Sequence, residues 1–251
     1  MIKFFRRFRQ KLLSENLPSG QAGKFSKYML YAIGEIILVV IGILIALSLN
    51  NWNEERKDQN KLINVYRLID NDIKNDIKDL QRIVEFYSEK KSVFEKVVND
   101  SISPDLIDKG LSRLLNSHPH IVLNKKGVSQ LKKLQINDTL AFFLDDIYEW
   151  MDTRMLSLEN SISAEMLDHE KYLRDHYEWY PEWRTNTISQ DLSNKELHDY
   201  FLSDPTYRNR VTFIYALIKR YTGMLNALIR SLTEFQEQVN EVIKEVDDKI
   251  L

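Results

Sequence analysis

The sequence predicts an all-α protein, in which an N-terminal transmembrane helix is followed by an elongated antiparallel bundle of three long helices and several short ones. Residues 29–49 form an apolar stretch with one ionisable side chain, Glu35. A helix of about 21 residues spans the ~30 Å hydrocarbon core of a bilayer. The rest of the chain has helical apolar periodicity. The 251 residues include only 7 glycines and 5 prolines, whereas sandwiches and barrels need many tight turns.

Charge is distributed unevenly around this stretch and divides the chain into three parts. Residues 1–28 carry seven Lys and Arg side chains and one Glu, whereas residues 50–251 carry 28 Lys and Arg and 35 Asp and Glu. Cations that flank a first span stay in the cytoplasm. We therefore predict a cytoplasmic segment 1–28, a transmembrane helix 29–49 and an extracytoplasmic bundle 50–251. A cleaved signal peptide is the alternative, but its apolar region is only about 7–15 residues long, which favours an uncleaved signal anchor.

The cytoplasmic segment begins with residues 2–13, a basic amphipathic stretch with aromatic side chains at helical spacing. Two interpretations stay open: a surface helix whose cations meet anionic lipid, and a simple positively charged flank. Residues 14–23 form a predicted linker. The expected membrane-interface anchors are Arg6, Arg7, Lys24, Lys27 and Tyr28 on the inner side and Trp52 on the outer side.

Three residues of the span share one helical face. Glu35 and Gly42 are seven residues apart, and Gly42 and Ala46 are four apart, so all three project in nearly one direction. Gly42 and Ala46 form a pair of small residues that lets another helix approach closely. A charged carboxylate at the depth of Glu35 costs about 2.5–3.5 kcal/mol, so we expect it to be protonated or to face a partner. The pattern predicts a self-association face; the alternative is a Glu tolerated near the interface.

The N-terminal MIKFFRRFRQKLLSE and the span AIGEIILVVIGILIALSLNNWNEERK carry a resemblance to a known family. Three groups of residues stand in that family's order: Gly34-Glu35-Ile36, Val39-Val40-Ile41-Gly42 and Asn50-Asn51-Trp52-Asn53. The chain resembles a family of uncharacterised single-span membrane proteins of Gram-negative bacteria, a domain of unknown function. The resemblance is specific over residues 1–58 and loose beyond, where residues 134–137 lack an expected Ser-Gly step. It implies an inner-membrane anchor with a helical external domain and brings no activity with it.

The chain after the span predicts a series of helices. Apolar residues from Leu62 to Val98 recur at steps of three and four and predict one long helix, continuous with the span. The pattern that follows predicts a short helix over 105–116, a non-helical stretch at 118–123, a turn at 125–127 and then a helix of two or three turns. After these it predicts a long helix over 140–166 that is capped by Asn137 and Asp138. A short helix over 191–202 and a long last helix, which begins at Asp204 and Pro205, complete the series. Because the chain has no cysteine, this bundle depends on its apolar core.

An aromatic cluster follows the long middle helix. Its candidate pocket residues are Tyr177, Trp179, Tyr180 and Trp183. Such side chains can line a pocket for a small molecule or peptide at one end of a bundle. The structural alternative, which we favour, is that they close the bundle end and pack an irregular loop.

The chain offers five histidines as candidate metal ligands: His118, His120, His169, His176 and His198. His118 and His120 could form a metal site with a histidine of the long helix, and Glu165 and His169 could add two ligands from one helix face. The spacings match no zinc pattern, so we predict solvated or capping histidines, with no metal and no cofactor. The chain contains no nucleophile elbow, no cysteine nucleophile and no glycine-rich phosphate loop, and we predict no enzyme.

These features predict a bitopic, single-pass inner-membrane protein with a cytoplasmic N-terminus and most of the chain in the periplasm. The leading hypothesis is a scaffold, or a sensory or binding module, whose span self-associates. The alternative is the minor subunit of a proton-driven membrane complex, with Glu35 as proton carrier. The expected partners are the lipid bilayer and either a homo-oligomer or a multi-span membrane protein. Nucleic acid is not expected, because the basic residues flank a span.

Overall fold

The structure, a computed structural model, describes residues 21–134, 139–185 and 194–250. The chain divides after Gln59 into two compact units. Several predicted features lie outside the described residues: the basic segment with Arg6 and Arg7, the side chains of Lys24 and Lys27, the helix cap at Asn137 and Asp138, and the start of the helix predicted at 191–202.

The first helix, α1, spans Gln21–Val98 without interruption. This part of the sequence contains no proline, so every backbone N–H is available to the helical hydrogen-bond ladder. The helix ends just before Asp100, which has a positive φ of 55°. The predicted continuity between the apolar stretch and the first helix of the bundle is confirmed.

Within the first unit, residues 31–49 of α1 are apolar and mostly exposed. Among the described residues, α1 is the one helix long and apolar enough to cross a membrane, and its most apolar window, within Tyr31–Val98, is not buried at all. Ile36 and Leu44 are 62% and 59% exposed. A core helix of a water-soluble protein buries such side chains. The exposure is compatible with a membrane anchor.

The second unit continues α1 and adds the other described helices: α2 (Asp105–Asp108), a 3₁₀ turn (Leu111–Arg113), α3 (Lys126–Lys133), α4 (Thr139–Trp150), a π-helical turn (Met151–Met155), α5 (Leu156–His176), α6 (Tyr180–Thr185), α7 (Lys195–Ser203) and α8 (Pro205–Ile250). No strand occurs in the ranges that the structure covers. The predicted all-α fold with an N-terminal apolar helix is therefore confirmed.

Two short elements differ from the prediction. The single helix predicted over residues 105–116 is divided into α2 and a 3₁₀ turn, because Gly110 between them adopts a left-handed φ of 88°. Gly127, predicted to lie in a turn, is instead inside α3. A Cβ at this position would lie 2.8 Å from the backbone nitrogen of Ile69, so glycine is required by the close approach of α3 to α1.

Residues 117–125, called the return segment below, run back along α1. His118 contacts Tyr87, and the Asn124 backbone N–H donates to Asp76 at 2.9 Å. Six residues of the segment thus cover about 16 Å of helix, or roughly 2.7 Å per residue, which is close to an extended chain. The non-helical stretch predicted at 118–123 is confirmed.

The return segment determines the directions of the long helices. Because it carries the chain back to the level of Asp76, α4 starts beside the part of α1 that precedes Asp76 in this unit, and α4 runs parallel to α1. The Tyr148 hydroxyl donates to Asp76 at 3.0 Å, and further along Tyr221 contacts both Tyr87 and Glu159. In contrast, α8 is antiparallel to both helices, so the predicted antiparallel packing applies to α8 but not to α1 and α4, which the return segment makes parallel. Its ion pairs with the α1 side run from Arg67–Asp247 at one end to Asp100–Arg208 at the other.

The core of the second unit is formed by the apolar positions that the periodicity predicts. Ile69, Ile73 and Leu80 of α1, Ile162 of α5 and Leu225 of α8 are all buried. The return segment and the start of α3 are fixed to this core by two buried carboxylates. Asp76 accepts hydrogen bonds from the Asn124 backbone and side chain and from Tyr148, and Asp72 accepts one from the Gly127 N–H at 2.7 Å. These bonds place residues 118–120 beside α1 and α5.

Candidate functional site

The return segment and α5 bring three potential ligand side chains together. His118 and His120 lie on either side of Pro119, which keeps this part of the chain out of a helix. Glu159 lies in the first turn of α5. One ligand atom from each of these residues lies within 4.8 Å of the others, and no second group of this kind occurs among the described His, Asp and Glu residues. We call these three residues the His–Glu cluster.

The two sides of the cluster differ in exposure. The Glu159 side chain is only 4% exposed, whereas that of His120 is 66% exposed. His120 Nδ1 lies 2.7 Å from Glu159 Oε1. No Lys or Arg of the described ranges forms an ion pair with Glu159, so its buried carboxylate depends on His120 and on neutral donors. An uncompensated buried carboxylate is costly, which makes the partners of Glu159 decisive for this site.

Two tyrosines hold the buried side of the cluster. The Tyr221 hydroxyl of α8 donates to Glu159 Oε2 at 3.0 Å, and the Ile121 N–H lies 3.4 Å from the same oxygen. The Tyr87 hydroxyl of α1 is hydrogen-bonded to His118 Nδ1. His118 Nε2 is buried and has no hydrogen-bond partner among the described residues. The cluster therefore has contacts from α1, α5, α8 and the return segment.

Burial determines the protonation of the surrounding groups. It lowers the pKa of His118 to about 4, with a smaller opposing contribution from the Glu159 charge. It also raises the pKa values of Tyr87 and Tyr221, and the Glu159 charge raises them further. At neutral pH His118 is consequently an uncharged imidazole, and both tyrosines keep the protons that they can donate.

Two imidazoles and one carboxylate form a donor set that binds divalent transition metals, and three protein ligands leave a coordination position open. The same side chains can also act as a buried hydrogen-bond network that joins three helices. The candidate ligand set considered from the sequence differs in one respect, because the third residue, from the long helix, is Glu159 rather than a histidine.

The predicted face of the span is exposed in the first unit. Glu35, Gly42 and Ala46 are all exposed, and a Cβ added at Gly42 would meet no described atom within 4 Å beyond its own helix backbone. Tyr28 and Trp52 are exposed as well. This face is open to a partner helix or to lipid, and self-association and interface anchoring stay predictions.

The aromatic candidates form part of the bundle interior. Trp179 and Trp183 are buried, and Tyr177 and Tyr180 are half-buried. Their rings contact one another and pack against Tyr200 and Phe201 of α7 and, through these, Tyr207 of α8. This packing favours the interpretation that they close the bundle end, and a ligand pocket at these four residues stays a prediction.

The other histidines lie apart from the cluster. His169 is buried between Tyr200 and Tyr207, where burial and the nearby Arg210 charge lower its pKa to about 4. Its predicted pairing with Glu165 gains no third His, Asp or Glu ligand among the residues described. His176 is exposed and contacts the Tyr172 carbonyl.

Glu159 is the member of the site that the sequence analysis missed. It lies four residues after Met155 and three before Ile162, which places it on the apolar face of the long helix. A charged residue at a core position is a signal of a buried polar site. Asp72 and Asp76 give the same signal on α1, where they are interleaved with Ile69, Ile73 and Leu80.

Comparison with known protein families finds a match over part of the chain. A family model described as a family of unknown function (DUF6090) matches residues 35–114. No curated protein and no solved structure matches the chain. The chain is thus similar to an uncharacterised family over most of α1, α2 and the 3₁₀ turn, and no enzymatic family is found. The match includes Glu35 and Tyr87 and ends before His118.

Proposed function

We propose that this chain is a single-pass protein of the inner membrane of a Gram-negative bacterium, with its N-terminus in the cytoplasm and its helical bundle in the periplasm. The observation that carries the proposal is the exposed apolar part of α1, which a bilayer would cover. The positive charge before it and the excess of acidic residues after it support the orientation.

We propose further that the bundle acts as a scaffold or as a sensory or binding module. Its most distinctive polar feature is the His–Glu cluster, where a buried carboxylate meets two imidazoles instead of a Lys or Arg. One helix, α1, contains both the proposed span and Tyr87, which contacts His118. A structural change at the cluster would therefore act on α1, the helix that is proposed to enter the membrane.

The orientation can be tested by cysteine labelling, because the chain has no cysteine of its own. We expect Ser161→Cys, at an exposed position of α5, to react with a membrane-impermeant maleimide in spheroplasts. Ser14→Cys should react only after the membrane is permeabilised. The reverse labelling pattern would contradict the proposed topology, and labelling of both sites in intact spheroplasts would contradict a membrane-spanning chain.

The span is proposed to self-associate through Glu35, Gly42 and Ala46. The open surface at Gly42 supports this, because small residues let two helices approach closely. We expect Gly42→Ile to abolish cross-linked oligomers in membranes. Ser48→Ile is the matched control, because Ser48 lies on the opposite helical face. Equal cross-linking of wild type and Gly42→Ile would refute the pairing face.

A second candidate is favoured by Glu35 itself, a carboxylate within an exposed apolar helix. In this proposal Glu35 carries a proton for a multi-span partner. Glu35→Gln separates the two candidates, because it keeps the side-chain shape and can still hydrogen-bond across helices. The proton carrier predicts loss of ion-driven activity with assembly intact, whereas the scaffold predicts no change in either.

A further inference from the structure

The distances within the His–Glu cluster are close to those of a metal site. Zn–N and Zn–O bonds of about 2.0–2.2 Å at tetrahedral angles place neighbouring ligand atoms roughly 3.3 Å apart. In the cluster the ligand atoms range from 2.7 Å, between His120 and Glu159, to within 4.8 Å of one another. Separations of up to 4.8 Å would have to close by about 1.5 Å at most to reach this spacing, through movement of the exposed His120 side chain and of the His118 ring.

Glu159, which is buried, and His118, which is half-buried, are each held through one atom and keep a second atom that could bind a metal. Glu159 Oε2 accepts from Tyr221, which leaves Oε1 directed at His120. His118 Nδ1 is engaged by Tyr87, and a proton on Nδ1 that is donated to the Tyr87 oxygen leaves the lone pair of Nε2 free. Nε2 is also buried and has no hydrogen-bond partner among the described residues. Outer contacts of this kind orient the ligands in metal sites.

We propose that His118, His120 and Glu159 bind one divalent transition-metal ion of the Zn²⁺ class, with a fourth coordination position open to water or an external ligand. Two imidazole donors favour Zn²⁺ and its neighbours over Mg²⁺ or Ca²⁺, which prefer oxygen ligands. The exposed imidazole of His120 provides the route by which the ion reaches the buried carboxylate.

The metal would link the return segment to α5. His118 and His120 are separated from Glu159 by about 40 residues, so coordination closes a long loop within the bundle. The inference names the ligand of the proposed binding module and rests on that proposal for its biological role. The site itself is formed by residues of the second unit and does not depend on the membrane topology.

The test is a titration of the full-length chain in detergent micelles, without a histidine tag, with Zn²⁺ against a chelating fluorescent indicator. We expect one Zn²⁺ per chain with a Kd of about 1 µM or below. Co²⁺ should give the visible absorption of a site with nitrogen and oxygen ligands, and Mg²⁺ should not compete. At free Zn²⁺ of 100 times the Kd, the Tm should rise by about 5–10 °C.

His120→Ala is the decisive variant, because this exposed side chain can be removed with little effect on packing. It should weaken Zn²⁺ binding by about 100-fold or more, since even loss of an outer contact costs 10–100-fold. His176→Ala, which removes an exposed histidine outside the cluster, should bind as wild type does. Glu159→Gln keeps the side-chain shape and the bond from Tyr221 and should weaken binding similarly.

Absence of stoichiometric Zn²⁺ binding by the wild-type chain, or equal affinity of wild type and His120→Ala, would overturn the inference. Such a result would leave the cluster as a hydrogen-bond network. It would not affect the proposed membrane role, which the maleimide labelling of Ser161→Cys reports independently.

Discussion

The exposed stretch of α1 and the helical bundle place similar side chains in opposite surroundings. In the stretch, large apolar side chains such as Ile36 and Leu44 are exposed, and its carboxylate, Glu35, is exposed as well. In the bundle, the apolar side chains form a core, and Asp72, Asp76 and Glu159 are buried with specific hydrogen-bond donors. The exposed apolar surface of the first unit is compatible with a membrane anchor, whereas the second unit buries its apolar side chains in its own core.

The largest effect is expected at Asp76 of the bundle, which is fully buried. Asp76→Ala removes the acceptor for Asn124 and Tyr148 and leaves their buried donors unpaired, so we expect a loss of about 3–5 kcal/mol in the free energy of unfolding. Denaturant unfolding of the full chain in micelles measures it. The matched control is Asp79→Ala, whose exposed pair with Arg82 contributes less than about 1 kcal/mol. Equal losses in the two variants would contradict the buried role of Asp76.

A second prediction concerns pH and His169. Unfolded His169 binds a proton below about pH 6.5, whereas the folded protein, in which its pKa is about 4, does so only near pH 4. The unfolded state therefore binds more protons between these values, and this contribution to stability is complete at pH 7 and is lost as the pH falls to 4. The loss is about 3 kcal/mol.

His169→Phe keeps a ring between Tyr200 and Tyr207 and removes this titration. The difference in unfolding free energy between wild type and His169→Phe should shift by about 3 kcal/mol from pH 7 to pH 4 in favour of the variant. A constant difference across this range would show that His169 is not kept neutral by burial.

For two glycines of the second unit we predict that substitution by alanine changes the unfolding free energy in opposite directions. A Cβ at Gly127 would lie 2.6–2.9 Å from side-chain and backbone atoms of Ile69, so Gly127→Ala should lower the unfolding free energy by about 1–3 kcal/mol. Gly223 in α8 has no such neighbour among the described atoms, and Gly223→Ala should raise it by about 0.5–1 kcal/mol. Thermal unfolding of both variants checks the pair, and stabilisation by Gly127→Ala would refute the close approach of α3 to α1.

Periodicity in the sequence predicts the elements of this fold well. The steps of three and four that contain Ile69, Ile73 and Leu80 are local, and a helix converts them directly into a buried face. The break at Pro119 and the start of α8 at Pro205 are also local, because proline restricts its own backbone and that of the preceding residue.

The helix directions and the His–Glu cluster could not be predicted in this way. The parallel course of α1 and α4 depends on the return segment, whose nearly extended chain has no periodic pattern to indicate its path. The pairing of His120 with Glu159 joins residues 39 apart and depends on the register of two elements against each other. The available signal was Glu159 at an apolar position, which identifies a buried polar residue without naming its partners.

The central claim is that lipid covers the apolar stretch of α1 and water surrounds the bundle. Nitroxide labels on single cysteines in proteoliposomes test it directly, because oxygen concentrates in the bilayer and a water-soluble nickel chelate is excluded from it. We predict that a label at Leu44 collides strongly with oxygen and weakly with the chelate, and that a label at Ser161 shows the reverse. Equal access of the nickel chelate to both labels would contradict the account.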